Sequence, residues 1–319
     1  MEYQKPLITI IMPVRDRDRI VPRTLHSFAM QTLRPLHFIL VDNGSTDNTT
    51  EILCKWKSDH ESDTFRVDIV HESKPGASAA RNKGLENVKT EYVMFFDSDD
   101  EMRPDHLKRI TDTLTARPDT DILRWDVAIM DPDGWMNVKS QHWHDEMQLH
   151  LMHGTLATQR WVARTELVRK TGGWDTSLPN WNDLELGCRM LCTDGIKIRK
   201  LHGEPTVVIH PCDDSITGTS YSSRADGHRM ALDRIDSILT DTARSEYLST
   251  VSAKRAIAAG NYRKEGDREN ASAMLQQAKK GHTLKERLAL SAIYTSVRLF
   301  GHGGASLALF FFGKKAPKS

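Results

Sequence analysis

The sequence is poor in cysteine and has no long, uninterrupted run of apolar residues. Its four cysteines are spread over 319 residues, and the first residues lack the pattern of a secretory signal. This combination favours reduced thiols in a cytosolic compartment and disfavours a disulfide framework. The most apolar stretch, residues 288–312, is interrupted by Arg298, His302 and glycines, so we do not expect it to span a membrane.

The sequence also lacks an excess of either charge. Charged residues make up 27% of the chain, but the formal net charge is only +1. Nothing in this balance calls for nucleic acid as a partner, and we expect none. A phosphate-binding glycine loop is absent as well, because residues 14–19 contain no glycine and no Gly-Lys-Ser/Thr sequence occurs.

Strand-like and helix-like segments alternate in the first half of the chain, which predicts an α/β fold with a largely parallel sheet. Apolar, β-branched runs predict strands, and spacing of apolar residues at helical intervals predicts helices. We predict strands at residues 7–14, 38–41, 65–71, 91–96, 156–163 and 207–210. We predict helices at residues 21–31, 77–87 and 167–170, one that Thr46 or Asp47 caps and that runs through residue 56, and another that starts near residue 181.

The last hundred residues have almost purely helical patterns. We expect a first domain at residues 1–220 and a helical C-terminal region at residues 221–319, with breaks at Gly260 and Gly266. Between the halves, residues 131–153 have weak periodicity and contain four histidines. A mobile loop that contacts the acceptor is favoured over a metal site there.

Acidic side chains follow the predicted strands at the point where each strand ends. Asp97 and Asp99 come directly after the apolar strand at residues 91–96, and Asp42 ends the strand at residues 38–41. In open α/β sheets, ligands bind beyond the carboxyl ends of the strands, so these carboxylates are expected to converge. Closely spaced carboxylates are ligands for Mg²⁺ or Mn²⁺, so Asp97 and Asp99 are predicted to bind one of these ions. The alternative interpretation of these two residues is an acidic turn that precedes a helix.

Four motifs, in their order and spacing, resemble those of the family 2 glycosyltransferases with the GT-A fold. The resemblance covers about residues 6–215, and acceptor-side motifs appear as Gly-Gly-Trp-Asp at residues 172–175 and Trp-Asn-Asp-Leu-Glu-Leu at residues 181–186. The motifs occupy residues 7–15, 38–47, 75–84 and 97–100. The resemblance implies a Rossmann-like, mostly parallel sheet flanked by helices, and transfer of a sugar from a nucleotide donor with inversion.

Carried over residue by residue, the resemblance implies a donor and metal site in the first half of the chain. It implies that Asp42 accepts a hydrogen bond from a pyrimidine N–H, which favours a UDP-sugar. It implies that Asp99, Asp97 and His210 hold the metal, with Asp97 also near the ribose. The remaining implied donor contacts come from Pro13, Arg15, Arg81 and Ser98. Asn43 departs from the second acid that many relatives have.

On the acceptor side, the resemblance implies that Asp183 is the base that removes the proton of the attacking hydroxyl. The family usually has Glu before this Asp, whereas this chain has Asn182. Capping of the following helix is the alternative role for Asp183. Trp181 and Trp174 are candidate contacts for the acceptor sugar, and packing in the core is the alternative, favoured for Trp174.

The expected enzyme is therefore a metal-dependent hexosyl- or N-acetylhexosaminyl-transferase of polysaccharide or glycoconjugate synthesis. Its acceptor would be a saccharide or a lipid-linked saccharide. Its tail, residues 288–312 with Lys314 and Lys315, is expected to pack on the protein itself, with docking on the inner face of the membrane as the alternative. The alternatives are a nucleotidyltransferase and an inactive nucleotide-sugar-binding protein. A zinc site is disfavoured, since no standard ligand spacing occurs among Cys188, Cys192, His210 and Cys212.

Overall fold

The computed structural model describes residues 5–130, 134, 136–139, 145–211 and 220–314. The chain forms two compact units. The first comprises Met1–Ser140, Leu156–Thr176 and Gly195–Cys212, and the second comprises Gln141–Thr155, Ser177–Asp194 and Asp213–Ser319. The second unit thus takes in two segments that precede residue 220. The domain boundary between residues 220 and 221 stays a prediction.

All strands of the described chain belong to the first unit. In chain order they are β1 (Ile8–Val14), β2 (Leu36–Asp42), β3 (Phe65–His71), β4 (Tyr92–Phe95), β5 (Glu101–Met102), β6 (Ile122–Trp125), β7 (Val127–Met130), β8 (Met136–Lys139), β9 (Trp161–Arg164), β10 (Ile198–Leu201) and β11 (Val207–Ile209).

Seven strands form the main sheet, in the order β10-β6-β9-β4-β1-β2-β3. Its strand pairs are parallel except those of β9, which runs antiparallel to both β4 and β6. Every residue of the central strands β1 and β2 is buried, as expected for a parallel strand covered on both faces. A second sheet has the order β5-β11-β7-β8. The predicted mixed, mostly parallel sheet is confirmed.

The α-helices of the described chain are divided between the units. In chain order they are α1 (Val21–Ala29), α2 (Thr49–His60), α3 (Ala77–Glu86), α4 (His106–Ala116), α5 (Glu146–His153), α6 (Thr165–Lys170), α7 (Asn182–Leu191), α8 (Ala225–Asp241), α9 (Leu248–Lys264), α10 (Arg268–Lys279), α11 (Leu284–Phe300) and α12 (Gly304–Phe312). The helices α1 to α4 and α6 belong to the first unit, and α5 and α7 to α12 belong to the second.

The core of the first unit lies between the main sheet and its helices and is rich in aromatic residues. Phe28 on α1 stacks on Phe38 of β2 with ring centroids 4.7 Å apart, and Phe96 meets the edge of Phe28 at 5.5 Å. All three rings are completely buried. This packing holds the carboxyl ends of β2 and β4 in fixed positions, which is where the predicted site residues lie.

The second unit is a bundle of helices with its own apolar core. Leu232 on α8, Val251 on α9 and Ile293 on α11 are fully buried within it. Helix α9 approaches α11 so closely at Gly260 that an added Cβ would lie 2.7 Å from the Cβ of Val297. Gly260 is therefore an interior residue of α9, and the predicted break there is wrong. The break at Gly266 is confirmed, since this residue follows α9 with φ +93°.

The segment predicted as a mobile, histidine-rich loop is partly helical. Residues 146–153 form α5, which Asp145 caps by accepting hydrogen bonds from the amides of Met147 and Gln148. His150 is fully buried and contacts α7 through the carbonyl of Leu184, 3.0 Å from its Nε2. The other histidines at 142 and 144 lie outside the described residues. No helix in the described part of the chain is long and apolar enough to cross a membrane.

Candidate active site

The carboxyl ends of four adjacent parallel strands meet along one edge of the main sheet. The strands β4, β1, β2 and β3 are neighbours in that order, and they end at Phe95, Val14, Asp42 and His71. Asp97 follows β4 by two residues and Arg15 follows β1 directly. The predicted donor residues are thus gathered at one edge, as the strand pattern indicated.

Arg81 and Asp97 form the best-defined pair of this edge. Arg81 projects from α3, and its Nη2 donates a hydrogen bond of 2.7 Å to Oδ1 of Asp97. The guanidinium also lies over the ring of Trp174, 4.4 Å from the centroid, and only 8% of the Arg81 side chain is exposed. A buried guanidinium held by one carboxylate and one aromatic face is rigid, and its remaining N–H groups are suited to phosphate oxygens.

Trp174 is part of the core of the first unit. Only 2% of its surface is exposed, and its ring packs edge-to-face with Phe95 at a centroid distance of 5.1 Å. The Gly172-Gly173 turn that precedes it is held by Asn82, whose side chain accepts from the amide of Trp174 and donates to its carbonyl. This geometry supports the alternative role of Trp174, packing in the core. Contact of Trp174 with a sugar remains a prediction that its buried position does not support.

Ser98, Asp99 and Asp100 complete the acidic loop after β4. The carboxyl groups of Asp99 and Asp100 both have raised pKa values. Burial and the charge of Asp97 raise the pKa of Asp99, although Arg17 and Arg23 act in the opposite direction. Burial first, and then Asp97 and Asp99, raise the pKa of Asp100 well above its usual range. An excess of negative charge held in a half-buried place favours a bound cation. Ser98 is buried between the acids.

Asp100 connects the acidic loop to neighbouring segments. Its Oδ1 accepts a hydrogen bond of 2.9 Å from the amide of His210, its Oδ2 accepts from Nε2 of Gln159, and its carbonyl accepts from the hydroxyl of Thr24. With 2% of its surface exposed, Asp100 acts within the protein. Its contacts tie the acidic loop to Thr24 of α1, to Gln159 before β9 and to His210 after β11.

His210 follows β11, where the family resemblance placed a metal ligand. Burial, reinforced by Arg23, lowers the pKa of His210 against the opposing charge of Glu101. Its Nε2 lies 3.5 Å from Oε1 of Glu101, and this buried nitrogen makes no hydrogen bond within the described chain. A neutral imidazole with an unsatisfied nitrogen is the form that binds metals.

The described residues do not by themselves form a complete metal cage. In the part of the chain that the structure describes, no three His, Cys, Asp or Glu side chains are grouped so that they could hold a metal ion. Mg²⁺ commonly needs only one or two carboxylates, since substrate phosphates and water supply its other ligands. The Asp99 carboxylate beside Asp97 fits that requirement, and the full ligand set with His210 stays a prediction.

Asp42, the predicted base-binding residue, ends β2 with only 5% of its surface exposed. Its Oδ1 accepts from the amide and the hydroxyl of Ser45, and its Oδ2 accepts from the hydroxyl of Thr50 at 3.1 Å. Nδ1 of His71 lies 3.4 Å from the same Oδ2. These contacts fix the orientation of the carboxylate, which has lone pairs for about four hydrogen bonds.

Asn43 has a structural role that an acid could not take over. Its Nδ2 donates to the carbonyls of Glu72 and Lys74, both at 2.8 Å, and its Oδ1 accepts from the amide of Gly76. The side chain thereby ties the end of β2 to the turn that leads into α3. A carboxylate has no hydrogen to donate to these two carbonyls, so the departure from the family pattern has a physical reason.

The loop after β1, which contains Arg15, is tied to the loop after β2. Asp16 has φ +49° and accepts from the amide of Thr46 at 2.7 Å, while its own amide donates to the hydroxyl of Ser45. Pro13 is buried in β1, whereas the Arg15 side chain is half exposed and lies 3.5 Å from Oδ2 of Asp16. Arg15 therefore stands at the surface of this edge.

Asp183 and Trp181 lie in the second unit, at the start of α7. The helix begins at Asn182, and the residue before it, Trp181, provides no side-chain cap. Asp183 is the second residue of the helix, and its Oδ1 accepts from the amide of Leu184 at 2.8 Å. Its position in the first turn is favourable for a negative charge, but it is not the N-cap.

Several residues at these positions escaped the sequence analysis. His71 faces Asp42 across the β2–β3 ladder, and Arg17 and Arg23 offset the charge of Asp99. His71 ends a strand that was predicted, so the rule that ligands bind at the carboxyl ends of strands could have identified it as a candidate. Gln159 could not, because its contact with Asp100 spans 59 residues and follows no local pattern.

The cysteines form no site in the described chain. Cys54, Cys188 and Cys192 are free thiols, and burial raises the pKa of Cys188 well above its usual range. Cys212 lies outside the described residues.

Comparison with known proteins agrees with this architecture. The model of the glycosyl transferase family 2 matches residues 9–168. The TuaG protein of Bacillus subtilis (strain 168), whose name assigns it to teichuronic acid biosynthesis, is 35% identical over 118 residues, 37% of this chain and 45% of TuaG. The glycosyltransferase GlyA of Streptococcus pneumoniae is 36% identical over 103 residues, 32% of this chain and 14% of GlyA. The matched segment thus spans less than half of each relative.

Solved structures share the fold over nearly the whole chain. Staphylococcus aureus TarS 1–349 in complex with UDP-GlcNAc has a TM-score of 0.63 at 15% identity, covering 92% of this chain and 93% of that one. A mannosyltransferase from Pyrobaculum calidifontis, in complex with GDP-Man and Mn²⁺, has a TM-score of 0.56 at 16% identity, covering 96% and 86%. The fold is that of the GT-A-like glycosyltransferases. The chain belongs to the glycosyl transferase family 2.

Proposed function

We propose that this chain is an inverting glycosyltransferase that moves a sugar from a nucleotide diphosphate donor, with a UDP-sugar as the favoured class, to an acceptor hydroxyl. The observation that carries the proposal is the hydrogen-bonded pair of Arg81 and Asp97, with Asp99 two residues further along the same loop. This loop lies at the carboxyl ends of adjacent parallel strands in a family 2 domain. A guanidinium and a carboxylate pair in this position suit a diphosphate and a divalent cation.

Asp97 and Asp99 would hold Mg²⁺ or Mn²⁺, with His210 as a further ligand. When bound, the cation would neutralise charge on the departing diphosphate. Arg81 would donate to phosphate oxygens, since its position is set by Asp97 and Trp174. Asp42 would accept the N–H of a uracil ring, while Pro13, Arg15 and Ser98 would line the remaining donor site. A cytosine ring would present an acceptor to Asp42 and be rejected.

In the transfer itself, the acceptor oxygen forms a bond to the anomeric carbon while the bond from that carbon to the diphosphate oxygen breaks. The diphosphate leaves with the bonding electrons, and the acceptor proton passes to Asp183. Attack from the face opposite the leaving group inverts the configuration of the anomeric carbon. Trp181 would offer a ring face to the acceptor sugar.

The acceptor we propose is a saccharide or lipid-linked saccharide of polysaccharide synthesis. The name of the relative TuaG, which refers to teichuronic acid biosynthesis, supports a role of this kind. The sugar would be a hexose or an N-acetylhexosamine, and TarS bound to UDP-GlcNAc supports the donor class. The mannosyltransferase bound to GDP-Man and Mn²⁺ also shares the fold, so the nucleotide must be tested.

The test is a donor panel. The purified protein is incubated with Mn²⁺ and with UDP-, TDP- and GDP-sugars, and slow donor hydrolysis with water as the acceptor is measured for each. We expect hydrolysis of a UDP-sugar, and in thermal denaturation we expect UDP with Mn²⁺ to raise Tm more than GDP does. Hydrolysis of a GDP-sugar alone would refute the role of Asp42, and binding without hydrolysis of any donor would favour an inactive binding protein.

A further inference from the structure

The residue before α7 has a backbone conformation that requires support from its surroundings. Trp181 has φ 54° and ψ 24°, in the left-handed region that residues with a Cβ rarely adopt. Such conformations persist only where the surrounding contacts hold them, and they are common at functional sites. Asp183 lies two residues further along, so the contacts that hold Trp181 also set the start of the helix that carries Asp183.

Helices α8 and α9 provide these contacts within the second unit. The ring of Trp181 stacks on His228 of α8 with centroids 4.1 Å apart, and Nζ of Lys254 on α9 lies 5.2 Å from the same ring. His228 is fully buried, and its Nδ1 lies 2.9 Å from the hydroxyl of Tyr262. Burial lowers the pKa of His228 to about 3, so its imidazole is neutral and Lys254 supplies the positive charge at this ring.

The backbone before Trp181 is held just as closely. An added Cβ at Gly227 of α8 would lie 2.3 Å from Nδ2 of Asn180 and 2.8 Å from Cγ of Pro179. Helix α8 therefore packs directly on the side chains of the loop that leads into Trp181, and a larger residue at Gly227 would displace them. The loop, the Trp181 ring and the start of α7 are fixed together by elements that follow residue 220.

Lys254 is the positively charged member of this group. It is partly buried on α9, and burial lowers its pKa to about 8, with Asp183 and Cys188 acting in the opposite direction. A lysine in such a place is unfavourable for stability compared with an apolar side chain of the same length. Asp183 and Cys188 of α7 act electrostatically on its ammonium, and its Nζ lies 5.2 Å from the centroid of the Trp181 ring, which stacks on the neutral His228.

We propose that Lys254 is a positioning residue for Asp183, acting through its charge and through its contact with the Trp181 ring. The inference rests on the proposed function, in which Asp183 is the base. It assigns to the helical C-terminal region a direct part in the reaction, although the matched family segment ends at residue 168. The ammonium attracts the carboxylate of Asp183 and covers the ring of Trp181, and together these interactions hold the base in one orientation.

The test is a double-mutant cycle with Lys254→Met and Asp183→Asn, read out as hydrolysis of the UDP-sugar selected by the donor panel. Lys254→Met keeps the length of the side chain and removes its charge. We expect kcat to fall by roughly 5- to 50-fold, a range typical of coupled neighbours, with KM for the donor unchanged. We expect Lys254→Arg to restore part of the loss and Tm to stay the same or rise in Lys254→Met.

The decisive comparison is in the Asp183→Asn background, where Lys254→Met should change kcat by less than about 2-fold if Lys254 acts through Asp183. An equal effect in both backgrounds, or no effect in the wild type, would overturn the inference. Lys254→Gln replaces Lys254→Met if the latter does not fold. Lys264→Met, at an exposed position near the end of the same helix, is the matched control and should leave kcat unchanged.

Failure of this inference can be told apart from failure of the proposed function. If Asp183→Asn hydrolyses the donor normally, the base assignment is wrong and the role of Lys254 is lost with it. If Asp183→Asn is inactive while Lys254→Met is normal, the base assignment stands and only the inference is overturned.

Discussion

Asp183 is the residue whose role is most open to a direct test. It is not the N-cap of α7, although its Oδ1 accepts a hydrogen bond from the amide of Leu184 in the first turn. The neighbouring acid, Glu185, is 1% exposed and pairs with Arg189 at 2.6 Å, which makes it a poor alternative base. Of the two acids in the motif, Glu185 is buried and paired, whereas Asp183 lies at the start of the helix.

We expect Asp183→Asn to lower the rate of transfer by ~10² to 10⁴, the usual contribution of a general base. Donor affinity should stay close to that of the wild type, and the loss of a favourable charge in the first turn should lower the free energy of unfolding by less than about 1 kcal/mol. The measurement is kcat for donor hydrolysis together with Tm. Asp194→Asn, at an exposed position, is the control. Normal turnover by the Asp183→Asn variant would exclude Asp183 as the base.

Asp99 permits a test that separates metal binding from folding. Its raised pKa means that the folded chain holds this proton more tightly than the unfolded chain does. The stability that comes from protonation is therefore present at low pH and is lost as the pH rises through the raised pKa. At neutral pH without metal, the ionised Asp99 lowers the free energy of unfolding.

We expect Asp99→Asn to reduce transfer by about 10²-fold or more, because a metal ligand is lost. In EDTA at pH 7 its Tm should equal or exceed that of the wild type, and this difference should shrink as the pH falls below the raised pKa of Asp99. Added Mn²⁺ should stabilise the wild type and not the variant. The control is Asp112→Asn on α4. An active variant, or one that Mn²⁺ stabilises as much as the wild type, would contradict the assignment.

At the scale of elements, the contact between α9 and α11 reverses a rule that holds for isolated helices. Replacing a helical glycine with alanine normally stabilises a helix by about 1 kcal/mol. At Gly260, however, an added Cβ would lie 2.9 Å from Cγ1 of Val297 and 3.0 Å from the carbonyl oxygen of Tyr294. The close approach of the two helices depends on the missing side chain.

We therefore expect Gly260→Ala to lower the free energy of unfolding by about 1–3 kcal/mol, the usual cost of overpacking. The measurement is urea denaturation followed by circular dichroism. Ser272→Ala, at an exposed position of α10, is the control and should be neutral or slightly stabilising. A more stable Gly260→Ala protein would show that α9 and α11 can move apart without loss.

On the scale of the whole molecule, the C-terminal tail has one buried face and one exposed face. Leu290, Ile293 and Val297 of α11 are buried in the second unit, and α12 is tied to α5 because Nε2 of Gln148 donates to the carbonyl of Phe312. Packing of the tail on protein therefore accounts for these residues. Large apolar side chains that remain exposed are Leu284, Leu288, Leu299, Phe300, Phe310 and Phe311.

We expect this exposed face, together with Arg298 and Lys314, to bind anionic vesicles weakly and in a salt-sensitive way. Flotation with vesicles that contain anionic lipid measures it. The variant Phe300→Ser with Phe310→Ser should reduce co-flotation by ~10-fold and leave donor hydrolysis unchanged. Absence of co-flotation by the folded wild type at low salt would remove the membrane prediction.

Local pattern was enough to predict the parallel strands β1 to β4 and the acids at their ends, because a buried strand must be apolar and a polar loop must follow it. It was not enough for β5 to β8, β10 and α4, which the sequence analysis did not predict. These strands have two to four residues, and tertiary packing decides their structure. The same holds for α5, whose periodicity is weak but whose His150 is buried against α7.

For the candidate site, the sequence by itself determined which side chains are present and at which strand ends they lie, since both follow from neighbouring residues. Only the tertiary structure decided their partners: Arg81 with Asp97 and Trp174, Asp100 with Gln159, and Trp181 with His228 and Lys254. Each of these contacts joins residues at least 16 positions apart, and no local propensity encodes them. They exist because burial in the folded chain brings distant groups together and leaves each with a partner.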